Sequence, residues 1–138
     1  MARKDFYHNT VRNALLKDGW TITHEPINLS FLNTRLEIDL GAERLEVVRG
    51  TVKIAVEVKN FREESTPVNE FHKSIGQVLN YMDILSRKEP SRTVYLAVSK
   101  QAYATVFSNP LVKNFVSRLS IKLVVFNTIT ETITKWDA

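Results

Sequence analysis

Asp39, Glu57 and Lys59 are the residues of this chain whose types and spacing suit chemistry. Glu57 and Lys59 flank Val58 near the end of the run Val52-Lys-Ile-Ala-Val-Glu-Val-Lys59. That run alternates, with Val52, Ile54, Val56 and Val58 on one face and Lys53, Ala55, Glu57 and Lys59 on the other, as a strand does. Residues two apart on a strand share a face, so Glu57 and Lys59 project side by side. Asp39 interrupts Ile38-Asp39-Leu40, where an apolar run would be simpler. If the Asp39 strand pairs beside the Glu57 strand, two carboxylates and an ammonium meet at one sheet edge. Two close carboxylates repel and are costly to bury unpaired. A hard cation, Mg²⁺ or Mn²⁺, removes the repulsion; Mg²⁺ takes oxygen ligands at about 2.0–2.1 Å. Asp39 and Glu57 are the side-chain ligands, and the main-chain carbonyl of Val58 is a further donor. Such an ion polarises a phosphate oxygen and favours hydroxide formation from bound water. Lys59 can orient that water or offset charge developing on the phosphate. The same residues also have a plainer reading: a Glu-x-Lys pair on a strand is commonly a solvated face, and an Asp ahead of a Gly is commonly a turn residue.

A second constellation follows. Lys73, Gln77 and Tyr81 stand at successive four-residue steps on a helical segment and form one stripe. The stripe is expected opposite the apolar face centred on Ile75. A cation, an amide and a phenol suit phosphate or base contacts in a nucleic acid, and an ordinary polar helix face has the same composition. His8 lies at the edge of the apolar stripe of the first helix, as a packed core histidine or as a ligand. His24 and His72 are expected at the surface. Arg3, Lys4, Arg62, Lys73, Arg87, Lys88 and Arg92 are candidates for a backbone-binding surface, and Tyr7, Phe61 and Phe71 for a stacking platform or for core.

The elements that position these residues are legible from periodicity. Asp5 to Lys17 reads as a helix, with Asp5 as N-cap and Asp18-Gly19 as its end. Trp20 to His24 alternates as a strand, and Pro26 to Asn33 reads as a looser connection. Leu36 to Leu40 is a strand that stops at Gly41, and Leu45 to Val48 a further strand before the Arg49-Gly50 turn. A polar loop over residues 60–67 leads to a helix from about Val68 to Leu85, with Val68, Phe71, Ile75, Val78, Leu79, Met82 and Leu85 at three- and four-residue steps. Arg92 to Val98 is a buried-type strand, residues 100–107 and 110–118 are short helices, Ile121 to Phe126 is another buried strand, and Thr130 to Trp136 closes the chain. Short turns make the early strands antiparallel, whereas the long helix fits a crossover to a parallel partner. The expectation is one α/β domain with a mixed central sheet flanked by helices.

Composition bounds the reading. The chain has 138 residues, 19 Lys+Arg against 15 Asp+Glu, and no cysteine. The length suits a single domain with one core. Hydrophobic residues at 43% and charged residues at 25% are ordinary globular values and argue against disorder. Absence of cysteine excludes disulfides and Cys-based zinc or iron–sulfur sites. No apolar run approaches the ~20 residues that span a bilayer, and no apolar stretch follows the basic start, so a soluble cytoplasmic protein with no membrane partner is expected. The net charge of +4 permits a polyanionic partner. Nothing resembles a helix-turn-helix or zinc finger. The closing strand offers an edge for pairing, and a homodimer is expected.

The arrangement Ile38-Asp39 … Ala55-Val-Glu57-Val-Lys59 … Gln77-x-x-x-Tyr81 resembles the nuclease signature of the PD-(D/E)xK superfamily. Its Gln-x-x-x-Tyr element is similar to the branch that includes RecB-type exonuclease domains. That resemblance implies a restriction-endonuclease-like fold with an α-β-β-β-α-β core, and a metal-dependent phosphodiesterase acting on DNA. It makes Asp39, Glu57, Lys59, Gln77 and Tyr81 the site, with His8 joining from upstream. Ile38 stands where the superfamily usually has Pro. At whole-chain level the strings Lys4-Asp-x-Tyr7-His8, Leu16-Lys-Asp-Gly-Trp-Thr-Ile-Thr-His24, Ile38-Asp-Leu-Gly-Ala-Glu43, Ile54-Ala-Val-Glu-Val-Lys59, Tyr95-Leu-Ala-Val98 and Lys135-Trp136 are similar to the XisH family. These are fdxN-element excision controlling factors of cyanobacteria, and the likeness runs over nearly the whole chain. It implies a role in programmed excision of a DNA element during heterocyst development, with a small partner, XisI. Two alternatives stay open beside the nuclease: a silent module that binds DNA or XisI, and a nuclease toxin neutralised by XisI.

Overall fold

A computed structural model describes residues 5–61 and 67–137. The first helix, α1, spans His8–Lys17 and buries Val11, Ala14 and Leu15. Strand β1 (Thr21–His24) follows, then β2 (Ile27–Phe31), β3 (Thr34–Ile38), β4 (Leu40–Glu46) and β5 (Gly50–Val58). The long helix α2 (Pro67–Lys88) leads to β6 (Arg92–Ser99). Helix α3 (Lys100–Thr105), a single 3₁₀ turn (Val106–Ser108) and α4 (Pro110–Arg118) precede the closing strands β7 (Leu123–Asn127) and β8 (Thr132–Asp137).

Six strands form one mixed sheet in the order β1-β4-β5-β6-β7-β8. β4 and β5 are antiparallel, β5, β6 and β7 are mutually parallel, and β8 returns antiparallel. The crossover through α2 is therefore the parallel connection expected of a long helix. The alternation along β5 sorts the two cores. Ile54, Val56 and Val58 pack on the face covered by α1, with Leu15, Leu40 and Phe126. Ala55 lies on the opposite face, with Phe71, Val78, Tyr81 and Leu85 of α2 and Phe107 of the 3₁₀ turn.

Three expectations need correction. The looser connection over Pro26 to Asn33 contains β2, which pairs with β3 in a separate two-stranded sheet. Its turn, Leu32-Asn33, has both residues at positive φ (49° and 61°). That is the backbone of a tight hairpin, and a bulky Leu there hides the usual Asn-Gly signal. Gly41 does not end a strand. It lies inside β4, where a Cβ would come within 2.8 Å of the Ile27 side chain, so glycine permits the small sheet to press against the large one. Leu45 to Val48 is not a separate strand: Leu45 is near the end of β4, and Val47-Val48 belongs to the β4–β5 turn, fully exposed.

Candidate active site

Asp39 is the one residue between β3 and β4, where the chain leaves the small sheet for the large one. Leu40 pairs with Val56, which sets Asp39 opposite Glu57 at the end of β5. The two residues hold each other reciprocally. The Val58 N–H donates to Asp39 Oδ2 at 2.8 Å, and the Asp39 N–H donates to Glu57 Oε1 at 3.3 Å. Lys59 Nζ stands 3.9 Å from Glu57 Oε2. Tyr81 reaches in from α2, its hydroxyl donating to the Glu37 carbonyl at 2.9 Å and lying 3.4 Å from Glu57 Oε2. These groups surround a cavity of about 200 Å³, with Gln77, Glu37 and Asp5 completing its wall.

Glu57 is only 4% exposed. Burial first, and the Asp39 charge second, push its carboxyl up to about 8, while the Lys59 ammonium works against them. Burial and then the Glu57 charge also raise the Tyr81 phenol above its ordinary range. A buried acid facing a second acid across one cavity is a place where a cation, or a proton, is favoured. The side-chain donors are hard oxygens, the two carboxylates, and Val58 lines the same cavity. Among the described residues, no set of three or more His, Cys, Asp or Glu side chains is arranged for a metal. Mg²⁺ is commonly held by only one or two carboxylates with water and substrate phosphates filling the rest, so this donor set fits it.

The structure separates the expected site residues. Asp39, Glu57, Val58, Lys59, Gln77 and Tyr81 share the cavity. Lys73 does not line it; its ammonium is exposed and pairs with Glu70 at 3.8 Å. The expected stripe of Lys73, Gln77 and Tyr81 is thus split. Tyr81 is buried with Phe71, Ser74 and Val78, so the apolar face is centred on these rather than on Ile75, and Leu79 is exposed. His8 is not in the wall either. Its ring is buried, and Nε2 lies 2.6 Å from Glu25, which also takes the Arg12 guanidinium at 2.9 Å. Burial opposes ionisation of Glu25, but these two hydrogen bonds outweigh it and hold the carboxyl below its ordinary value.

Asp5 and Glu37 are the wall residues missed in sequence. Asp5 reads as a helix cap, yet the helix begins at His8 with Tyr7 in the cap position, and Asp5 instead accepts the Tyr7 N–H at 2.9 Å. Burial, opposed by that bond, raises its carboxyl, and the Asp39 charge adds to the rise. No local pattern distinguishes such a residue from a cap. Of the basic candidates, Arg3, Lys4 and Arg62 lie outside the described residues. Arg92 is buried and engaged within the fold, Arg87 pairs with Asp83, and Lys88 donates to the Ser30 carbonyl. Phe71 is fully buried, Phe61 packs on Phe107 and Tyr7 on Phe126, so these rings are core. His24 and His72 are exposed, as expected.

The sequence family described as XisH protein matches residues 1–134. The chain belongs to the XisH family. Two solved structures share the fold. An XisH family protein from Nostoc punctiforme is 38% identical with a TM-score of 0.89, and the match covers 97% of this chain and 100% of that one. A fdxN element excision controlling factor protein from Anabaena variabilis is 38% identical with a TM-score of 0.88, covering 96% and 98%. No curated protein matches the chain. The XisH fold is thus a mixed α/β domain, a central mixed sheet flanked by helices, over essentially the whole chain. No helix among the described residues is long and apolar enough to cross a membrane.

Proposed function

We propose that this XisH chain is a metal-dependent phosphodiesterase acting on DNA, on a restriction-endonuclease-like fold of the PD-(D/E)xK type. The observation that carries the reading is the meeting of Asp39, Glu57 and Lys59 on one cavity wall. Asp39, Glu57 and the Val58 carbonyl would hold Mg²⁺ or Mn²⁺. When bound, the ion polarises a phosphate oxygen and acidifies a water. Lys59 offsets charge on the scissile phosphate. Tyr81, fixed to the Glu37 carbonyl, orients the Glu57 carboxylate. Gln77, exposed on α2 at the mouth, contacts the substrate strand. His8 and Lys73 are left outside this machinery. Control of fdxN element excision, the role named for the Anabaena variabilis protein, is the proposed setting, with self-association and a small XisI-like partner.

The test is incubation with plasmid, linear duplex and single-stranded DNA, with Mg²⁺ or Mn²⁺, beside a Glu57→Ala control. Metal-dependent cleavage that the substitution removes is the expected result. Cleavage that survives it, or no cleavage of any form, rejects the nuclease.

One observation favours a second reading. The reciprocal backbone hydrogen bonds and the raised Glu57 carboxyl let the pair rest without a metal near neutral pH. A silent module would use the same scaffold to bind DNA or a partner. Its mark is DNA binding that persists in EDTA and in Asp39→Ala.

A further inference from the structure

A cavity of about 460 Å³ lies on the β7–β8 side of the sheet, two strands across from the acid pair. Glu57 and Lys59 sit where β5 ends, and β6 and β7 run parallel to β5. β7 starts only level with the end of β5, and the cavity borders Ile121 to Leu123 there and Asp137 of β8, sharing no lining residue with the cavity of the acid pair. Its volume falls within the roughly 300–1,000 Å³ of small-molecule sites.

The lining is amphipathic. Phe107, Val116, Ile121 and Leu123 supply an apolar floor. Lys113 and Ser117 come from α4, and Ser120 and Lys122 from the link into β7. Among the described residues, neither ammonium has an ion-pair or hydrogen-bond partner, and neither hydroxyl has one. Asp137, the single acid of the wall, is already answered: it accepts the Tyr103 hydroxyl at 2.7 Å, and Lys135 donates to that hydroxyl at 2.9 Å. Two cations over a hydrocarbon floor are thus left without a counter-charge from the fold.

We propose that this cavity binds a small organic anion, its apolar body on the Phe107–Leu123 floor and its charged group on Lys113 and Lys122. Ser117 and Ser120 supply hydrogen bonds to the same group. None of these residues borders the acid pair, so the proposal stands or falls apart from the nuclease reading.

The test is fluorescence titration of the full chain with anilinonaphthalene sulfonate and with neutral anilinonaphthalene, which has the same rings without the charge. The expected result is saturable one-to-one binding of the sulfonate, about tenfold or more tighter than the neutral compound. Naphthoate and naphthyl phosphate displace it. The double variant Lys113→Glu/Lys122→Glu loses about tenfold or more for the sulfonate and keeps the neutral compound within about twofold. Val116→Trp, which fills the floor, lowers both, while Glu57→Gln changes neither. Equal affinity for the two probes, or a sulfonate affinity unmoved by the lysine reversal, overturns the proposal. The lysines are surface residues, so the reversal decides the matter even if Val116→Trp does not fold.

Discussion

Two charges are buried on neighbouring parallel strands, and the fold treats them oppositely. Arg92, at the start of β6, is 4% exposed, and both terminal nitrogens of its guanidinium are engaged while Nε has no hydrogen-bond partner among the described residues. It donates to the Ile54 carbonyl at 2.8 Å and to Glu89 at 3.0 Å, with Glu43 at 3.6 Å. The Arg92 hydrogen bond holds the Glu89 carboxyl below its ordinary value. Glu57, at the end of β5, is equally buried. It has a second acid opposite, a lysine only at 3.9 Å, and two long hydrogen bonds. Its carboxyl is pushed up, first by burial. One charge ties strands together; the other is kept short of compensation in a cavity open to a ligand. Sites that bind or react are built from groups of the second kind.

The largest expected effect on cleavage separates activity from stability. Glu57→Gln should lower metal-dependent DNA cleavage by about 10³-fold, equivalent to about 4 kcal/mol, without lowering stability in urea at pH 8. A variant that cleaves normally, or that unfolds, would make Glu57 a structural charge like Arg92. Arg92→Met should do the reverse. It strands the Ile54 carbonyl and the two glutamates, and a loss of about 3 kcal/mol in urea denaturation is expected, because breaking a buried ion pair costs more than replacing it whole.

The pH profile gives a more specific contrast. Between its ordinary 4.5 and about 8, Glu57 keeps a proton in the folded chain that it has released in the unfolded one. Stability contributed by this group should therefore fall as pH rises through that window, by up to about 5 kcal/mol, and the fall should vanish in Glu57→Gln. Saturating Mn²⁺ should flatten it too, because an ion substitutes for the proton. Thermal unfolding at fixed ionic strength from pH 5 to 8 reads both. Glu89, with a lowered carboxyl, contributes stability of the opposite sign, lost as pH falls through its folded value. The smallest effect belongs to Tyr81→Phe. It removes the hydroxyl from the Glu37 carbonyl and should cost about 1 kcal/mol in urea, with a larger proportional loss of cleavage than of stability.

Much of this was legible before any coordinates. Period-two alternation put Glu57 and Lys59 on one face, because successive strand side chains point to opposite sides whatever the surroundings. The helical period of α2 and its role as a parallel crossover were equally local in origin. Local pattern was insufficient where a position depends on a distant neighbour. Tyr81 counts as polar in a helical wheel, yet Phe71 and Val78 pack beside it and the Glu37 carbonyl accepts its hydroxyl. Arg92 reads as a surface cation until Glu43 of β4 and the Ile54 carbonyl of β5 meet it. Leu32 carries no hairpin signal, which leaves β2 unmarked in the sequence.

The amino-acid order alone determined which residue types could cooperate, which strand faces they share, and the family to which the chain belongs. Only the tertiary structure decided that Asp39 sits at the step between two sheets, opposite Glu57, with Asp5 drawn into the wall and His8 turned to Glu25. The physical reason is range: strand and helix periodicities are set by neighbours a few residues away. Burial, register and the meeting of charges depend on chain segments tens of residues apart.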